Sequence, residues 1–256
     1  MRWPLVLIFL INAACVSQRP LYESGQLNLV EGMTVAEFLD SPERLIVMMD
    51  ARESSRVYIS PDVPYGVQVH AFDRFQAAYA QVVEQLGDFG GVVNCYLVDN
   101  LTGGTHGDKL EGLADNSYSE ALIFVESPYY DDVMRHELVH AWFKSQGVRL
   151  PVWLDEGLAE YIQDADDWAA WLKEHPAVSY SELLLFNSRE DSTACRATAW
   201  AIVSTLHQRD GIPLNRIALM TTAEILGCLS GEEARSYVLM QTEETNDPPG
   251  TSSAGE

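Results

Sequence analysis

One stretch of the chain has residue types and spacing suited to chemistry: Met134-Arg135-His136-Glu137-Leu138-Val139-His140-Ala141-Trp142. Residues four apart on a helix share a face, so His136 and His140 can turn both imidazoles toward one ion. Glu137 sits at the edge of that face and can reach a water at the ion without being a ligand. This HExxH spacing suits Zn²⁺ held by two neutral imidazoles, with the glutamate taking a proton from water. A catalytic zinc needs a third protein ligand and an open position. Glu156, in Leu154-Asp155-Glu156-Gly157-Leu158-Ala159-Glu160-Tyr161, can supply it. The turn signal running from Ser145-Gln146-Gly147 to Pro151 allows a second helix to fold back antiparallel to the first. The competing reading is a solvated amphipathic helix that happens to carry two histidines.

These residues resemble the gluzincin metallopeptidases. His136 to Phe143 and Trp153 to Tyr161 are similar to the small peptidase MA-like domains and, more distantly, to the M1 aminopeptidases. The resemblance implies a zincin-like fold, zinc on His136, His140 and Glu156, and Glu137 as general base. It is strong over 130–162, looser over 56–130 and 190–230, and absent at both ends. The metzincin continuation is missing, because Ala141, Trp142, Phe143 and Lys144 follow the second histidine without the required glycine or third histidine. In M1 enzymes a later helix opens with a tyrosine that helps stabilise the oxyanion. Laying that pattern on residues 196–206 puts Arg196 in the tyrosine's place. A guanidinium can also neutralise developing negative charge, and simple pairing with a surface carboxylate is the alternative. Tyr161 and Tyr180 are weaker candidates for the same role. Glu160, one turn beyond Glu156, is expected either to accept a hydrogen bond from a zinc histidine's other N–H or to be an exposed helix carboxylate.

The elements that must position these groups follow from periodicity. Leu45 to Met49, Arg56 to Ser60, Gly91 to Val98 and Ala121 to Val125 read as strands. From Val67 to Leu86, Phe72, Phe75, Tyr79, Val82, Val83 and Leu86 recur at helical spacing, and Gly87 stops the run. A short helix is expected at 35–39. Further helices are expected at 165–172, 180–186, 194–208, 214–220 and 222–228, with Trp168, Trp171 and Trp200 as packing residues. The fold class read from this order is α+β: a small twisted, mostly antiparallel sheet packed on the HExxH helix, followed by a helical C-terminal lobe. Residues 99–119 read as a long loop rich in Gly, Thr, Asn and Asp, of a length that often carries function. Its His106 is more ordinary as a solvated histidine than as a ligand. The resemblance further implies that 121–125 is the sheet edge and can pair with extended peptide backbone.

The start of the chain reads as an export signal. Met1-Arg2 is basic, Trp3 to Ala14 is almost wholly apolar, and the run is too short for a permanent membrane span. Ile11-Asn12-Ala13-Ala14-Cys15 resembles a bacterial lipobox, with Asn12 a poor fit, which makes Cys15 the lipidated residue of a membrane-anchored envelope protein. Ordinary cleavage near Ser17 and secretion is the alternative. Residues 1–15 are thus the signal, 16–42 a tether and irregular lead-in, 43–240 the zincin-like domain, and 241–256 a disordered tail. A net charge of −22 excludes the basic surface that nucleic acid requires. Of the 4 cysteines, Cys95 is expected to be a buried thiol, and Cys195 and Cys228 are placed in neighbouring helices where they could pair. The function expected is an exported zinc metallopeptidase acting on peptide or protein substrates. The alternative is an inactive envelope lipoprotein that binds peptides or a protein partner through the same fold. A structural zinc module fits least, because no cysteine cluster lies nearby.

Overall fold

The computed structural model describes residues 28–30, 33–34, 46–49, 55–60, 62–98, 102–103, 108–109, 112–115, 121–126, 130–163, 167–186 and 193–246. Cys15 and the rest of the signal, the helix expected at 35–39, His106 and the tail beyond Asn246 lie outside the described residues. The chain divides into two compact units, Met1–Arg149 and Leu150–Glu256.

The first unit holds both sheets. A small antiparallel sheet has the order β2-β1-β6-β7, from β1 (Asn28–Val30), β2 (Met33–Thr34), β6 (Thr102–Gly103) and β7 (Asp108–Lys109). The larger sheet has the order β3-β4-β5-β9-β8, from β3 (Ile46–Met49), β4 (Ser55–Ile59), β5 (Val93–Val98), β8 (Gly112–Asp115) and β9 (Ala121–Glu126). Its outer pairings, β3 with β4 and β8 with β9, are antiparallel. The central pairings, β4 with β5 and β5 with β9, are parallel. The expectation of a mostly antiparallel sheet is therefore corrected at the sheet's centre. The reason lies in the connection: parallel neighbours need a crossover, and the helix α1 (Tyr65–Leu86) supplies it between β4 and β5. Every residue of β5 is buried, as expected of a strand covered on both faces, whereas β4 alternates. Tyr58 and Tyr96, paired in register across β4 and β5, stack with ring centroids 4.6 Å apart.

The segment read as a long loop contains β8, which pairs along β9 and takes the edge position. The expected edge at 121–125 is thus an interior strand. Alternation cannot detect a four-residue Gly-Leu-Ala-Asp strand, whose weak propensity is overridden by pairing with β9.

α1 buries Ala71, Phe75, Ala78, Val82 and Leu86. The buried stripe is therefore led by small alanines as well as the large apolar residues that mark it in sequence. The next helix, α2 (Tyr130–Ser145), carries the HExxH residues and packs on β9, β8 and α1. Met134, Leu138, Val139, Ala141, Trp142 and Phe143 are all buried, so this is a core helix. That burial removes the reading of a solvated amphipathic helix. Cys95 is a buried thiol, with its Sγ 4.0 Å from Met134 Sδ.

Among its described residues the second unit is helical: α3 (Val152–Gln163), α4 (Trp168–Glu174), α5 (Tyr180–Leu185), α6 (Thr193–Gln208), α7 (Leu214–Ile217), α8 (Thr222–Cys228) and α9 (Gly231–Asn246). α6 is the axis, packed against α3, α4 and α9. α5 and α8 open with reciprocal capping boxes, Ser179 with Glu182 and Thr221 with Glu224, and Ser230 makes the same exchange with Glu233 ahead of α9. These caps hold the carboxyls of Glu182, Glu224 and Glu233 below their ordinary range by hydrogen bonding. α9 runs to Asn246, past Gln241, where composition marks the start of a tail. Cys195 is buried and Cys228 exposed, and the two are not joined by a disulfide, so the pairing left open by the sequence is not made.

Candidate metal centre

The histidine pair needs little beyond its own helix. One helical turn sets His136 and His140 with ring centroids 4.8 Å apart and planes at 76°. His136 is 8% exposed and Glu137 7%, so both belong to the interior of the first unit. α2 itself is pinned near its C-terminus. Trp142 Nε1 donates to the carbonyl of Gly87 at 2.9 Å, and the Gly90 N–H donates to Ser145 Oγ at 3.0 Å. A Cβ on Gly90 would collide with the Ser145 carbonyl, so glycine is what permits that approach. The helix then stops through a Schellman arrangement: Gly147 has φ 65°, its N–H bonds Lys144 O, and Val148 N–H bonds Phe143 O.

Pro151 restarts the chain as a helix, its carbonyl accepting from the N–H groups of Leu154 and Asp155. α3 is buried nearly all round and carries Glu156, 7% exposed, and Glu160, 3% exposed. Burying two carboxylates one turn apart is costly unless both are compensated. The compensation comes from α6 and α4. Arg196 Nη2 lies 3.4 Å from Glu156 Oε2 and Arg196 Nη1 lies 3.2 Å from Glu160 Oε1. Trp168 Nε1 donates to Glu160 Oε2 at 3.3 Å. Arg196 can come so close because Gly157 faces α6: a Cβ there would stand 2.8 Å from Ala199 Cβ and 2.9 Å from its carbonyl carbon.

Among the described residues, one group of side chains could hold a metal ion: His136, His140 and Glu156, whose ligand atoms all lie within 4.8 Å of one another. Two imidazoles and a carboxylate are the donors zinc takes in an open catalytic site. Ligands at about 2.0–2.2 Å from zinc stand roughly 3.3–3.6 Å apart in a tetrahedron, a spacing that falls inside the 4.8 Å limit of the group.

Arg196 stands on two carboxylates. Glu160 is buried rather than exposed, with Arg196 and Trp168 as partners. Tyr161 accepts from Gln208 Nε2 at 3.2 Å and meets the His207 ring edge-on. Tyr180 packs against Trp153 and donates to Thr222 O at 3.5 Å, and burial holds its phenol above its ordinary value. Sequence reasoning missed Gly157 and the polar role of Trp168. The glycine inside an otherwise helical run was the signal for the first; nothing local signals the second.

No protein-family model matches the chain, and no curated protein matches it. Among solved structures it is similar to an M1 zinc metallopeptidase from Deinococcus radiodurans, at 18% identity and a TM-score of 0.46 over 79% of this chain and 50% of that one. It is also similar to two-domain M1 zinc metallopeptidases bound to L-arginine and to L-tryptophan, at 16% and 15% identity, each with a TM-score of 0.44 over 75% of this chain and 48% of the other. The chain spans about half the length of the solved structures it matches.

Proposed function

We propose that the protein is a zinc-dependent peptidase that hydrolyses peptide bonds, with His136, His140 and Glu156 as zinc ligands and Glu137 as general base. The observation that carries the reading is the grouping of three ligand atoms within 4.8 Å with a fourth titratable group, Glu137, on the same helix as the histidines. Zinc, when bound there, supplies Lewis-acid polarisation of a carbonyl and lowers the pKa of water. The chain's own residues do the rest. Glu137 takes a proton from the attacking water and returns it to the leaving amine. Burial of Glu137 keeps bulk water from competing for that proton.

The decisive experiment pairs Glu137→Gln with wild type. The amide has nearly the carboxylate's shape but cannot accept a proton at neutral pH. Zinc content is expected to stay near one per chain while hydrolysis of a peptide library falls by about 10²–10⁴-fold. Equal cleavage by both proteins would remove Glu137 from the mechanism. One observation favours a second reading, a peptide-binding protein without cleavage: Arg196, the candidate oxyanion partner, is engaged by Glu156 and Glu160. That reading stands if neither protein cleaves and both bind zinc and peptides alike.

The setting proposed is the bacterial envelope, with Cys15 lipidated. In that setting acyl chains on Cys15 are the anchor; no helix among the described residues is long and apolar enough to cross a membrane. Cys15→Ser is expected to abolish lipid labelling and release the protein from membranes; retention without the cysteine would sink this placement.

A further inference from the structure

We propose that Arg196 is a positioning residue: it clamps Glu156 in a ligand-ready place by tying it to Glu160, which serves as a fixed anchor. The inference rests on the zinc reading above and gives Arg196 a different task from oxyanion binding. Three observations carry it. First, Glu156 and Glu160 are one turn apart on α3 and both nearly inaccessible, at 7% and 3% exposure. Two buried like charges on one face repel, and without a shared counter-charge their side chains would be driven apart. Second, one planar guanidinium meets both, Nη2 on Glu156 and Nη1 on Glu160. A rigid fork can serve two carboxylates at once, which a lysine ammonium cannot do in the same geometry. Third, Glu160 is itself immobilised, because its other oxygen accepts from the buried indole of Trp168.

The order of dependence is therefore Trp168 to Glu160, Glu160 to Arg196, and Arg196 to Glu156. Gly157 sets the distance, since α6 can bring Arg196 over this face of α3 only where no Cβ intervenes. A glutamate has three side-chain torsions, and fixing them before the metal arrives removes an ordering cost from binding. Ion pairing through one oxygen is compatible with a ligand role for the group, because a carboxylate presents several lone-pair directions. The guanidinium side chain remains 34% exposed, so replacing it does not empty a core position.

The test measures zinc affinity by competition with a chromophoric chelator, on the full chain of wild type, Arg196→Met, Arg196→Lys and Trp168→Phe. Far-UV circular dichroism of each metal-free protein checks the fold. Loss of a group that orients a metal ligand typically weakens binding about 10–100-fold, and that is the expectation for Arg196→Met. Arg196→Lys is expected to fall between it and wild type, because charge is restored without the fork. Trp168→Phe, which loosens the anchor, is expected to weaken zinc by roughly a few-fold. If Arg196→Met does not fold, Trp168→Phe decides alone. Zinc affinity in the folded variants equal to wild type, or tighter through removal of a neighbouring positive charge, overturns the clamp. Unchanged affinity with a reduced kcat would return Arg196 to the transition state. A wild type that takes up no zinc defeats the proposed function, and the clamp with it.

Discussion

α2, which carries the histidines, and α3, which carries Glu156, hold the proposed ligands by different means. On α2 the geometry of the pair is intrinsic: four residues of helix fix the imidazoles relative to each other, whatever else the helix touches. On α3 the carboxylate lies at the end of a flexible side chain in a buried setting, and its place depends on a helix beginning at Thr193. Ligands of the first kind are specified by a motif. Those of the second kind are specified by a motif plus a helix seam that lies elsewhere in the chain. The more breakable part of the candidate centre is therefore the carboxylate, although the histidines are the more visible.

The largest effect that would sharpen this contrast is expected at Gly157. Gly157→Ala places a methyl 2.8 Å from Ala199 Cβ and 2.9 Å from its carbonyl carbon, a clash with backbone that no side-chain rotation relieves. Overpacking of that kind costs about 1–3 kcal/mol, to be read from urea denaturation of the metal-free protein. Because the strain is relieved only if α6 moves off α3, Arg196 should lose its reach to Glu156. Zinc affinity is then expected to fall together with stability. A protein that loses stability but binds zinc as before would show that Glu156 does not depend on the α3–α6 seam.

The same division explains what could be read from the sequence. The HExxH helix, the stop at Gly147, the restart after Pro151 and the spans of α1 and α6 were all legible, because each is set by neighbours within a turn or two. The direction of the β4–β5–β9 pairings was not, since register and polarity depend on connections rather than on strand composition. Nor was the edge role of β8, a four-residue strand recognisable only by its partner. Glu160 and Arg196 were visible as charges but not as a pair. Arg196 and Glu160 lie 36 residues apart in sequence, and no local pattern reports a contact of that kind. Cys195 and Cys228 show the limit from the other side: placement in nearby helices permits a bond but does not aim the side chains, and here one points inward and the other to solvent.

The smallest effect is expected at Gly147, and it probes the α2 side of the contrast. This glycine has φ 65°, and a Cβ built on it meets nothing within 4 Å. Its role is therefore conformational: it lets the chain enter the left-handed region so that its own N–H and that of Val148 can close the last turn of α2. Gly147→Ala keeps all the space it needs but pays the left-handed penalty of an L-residue, roughly 1 kcal/mol. The cost falls on the helix terminus, more than a turn beyond His140, and leaves the spacing of His136 and His140 untouched. Stability measured by urea denaturation should drop by about that amount while zinc affinity holds at the wild-type value. Two glycines would then give opposite signatures, Gly157 acting on the metal through a distant helix and Gly147 acting on stability alone. Should Gly147→Ala weaken zinc as much as Gly157→Ala does, the histidine pair would also depend on how its helix ends, and the claim that its geometry is intrinsic to one turn would have to be given up.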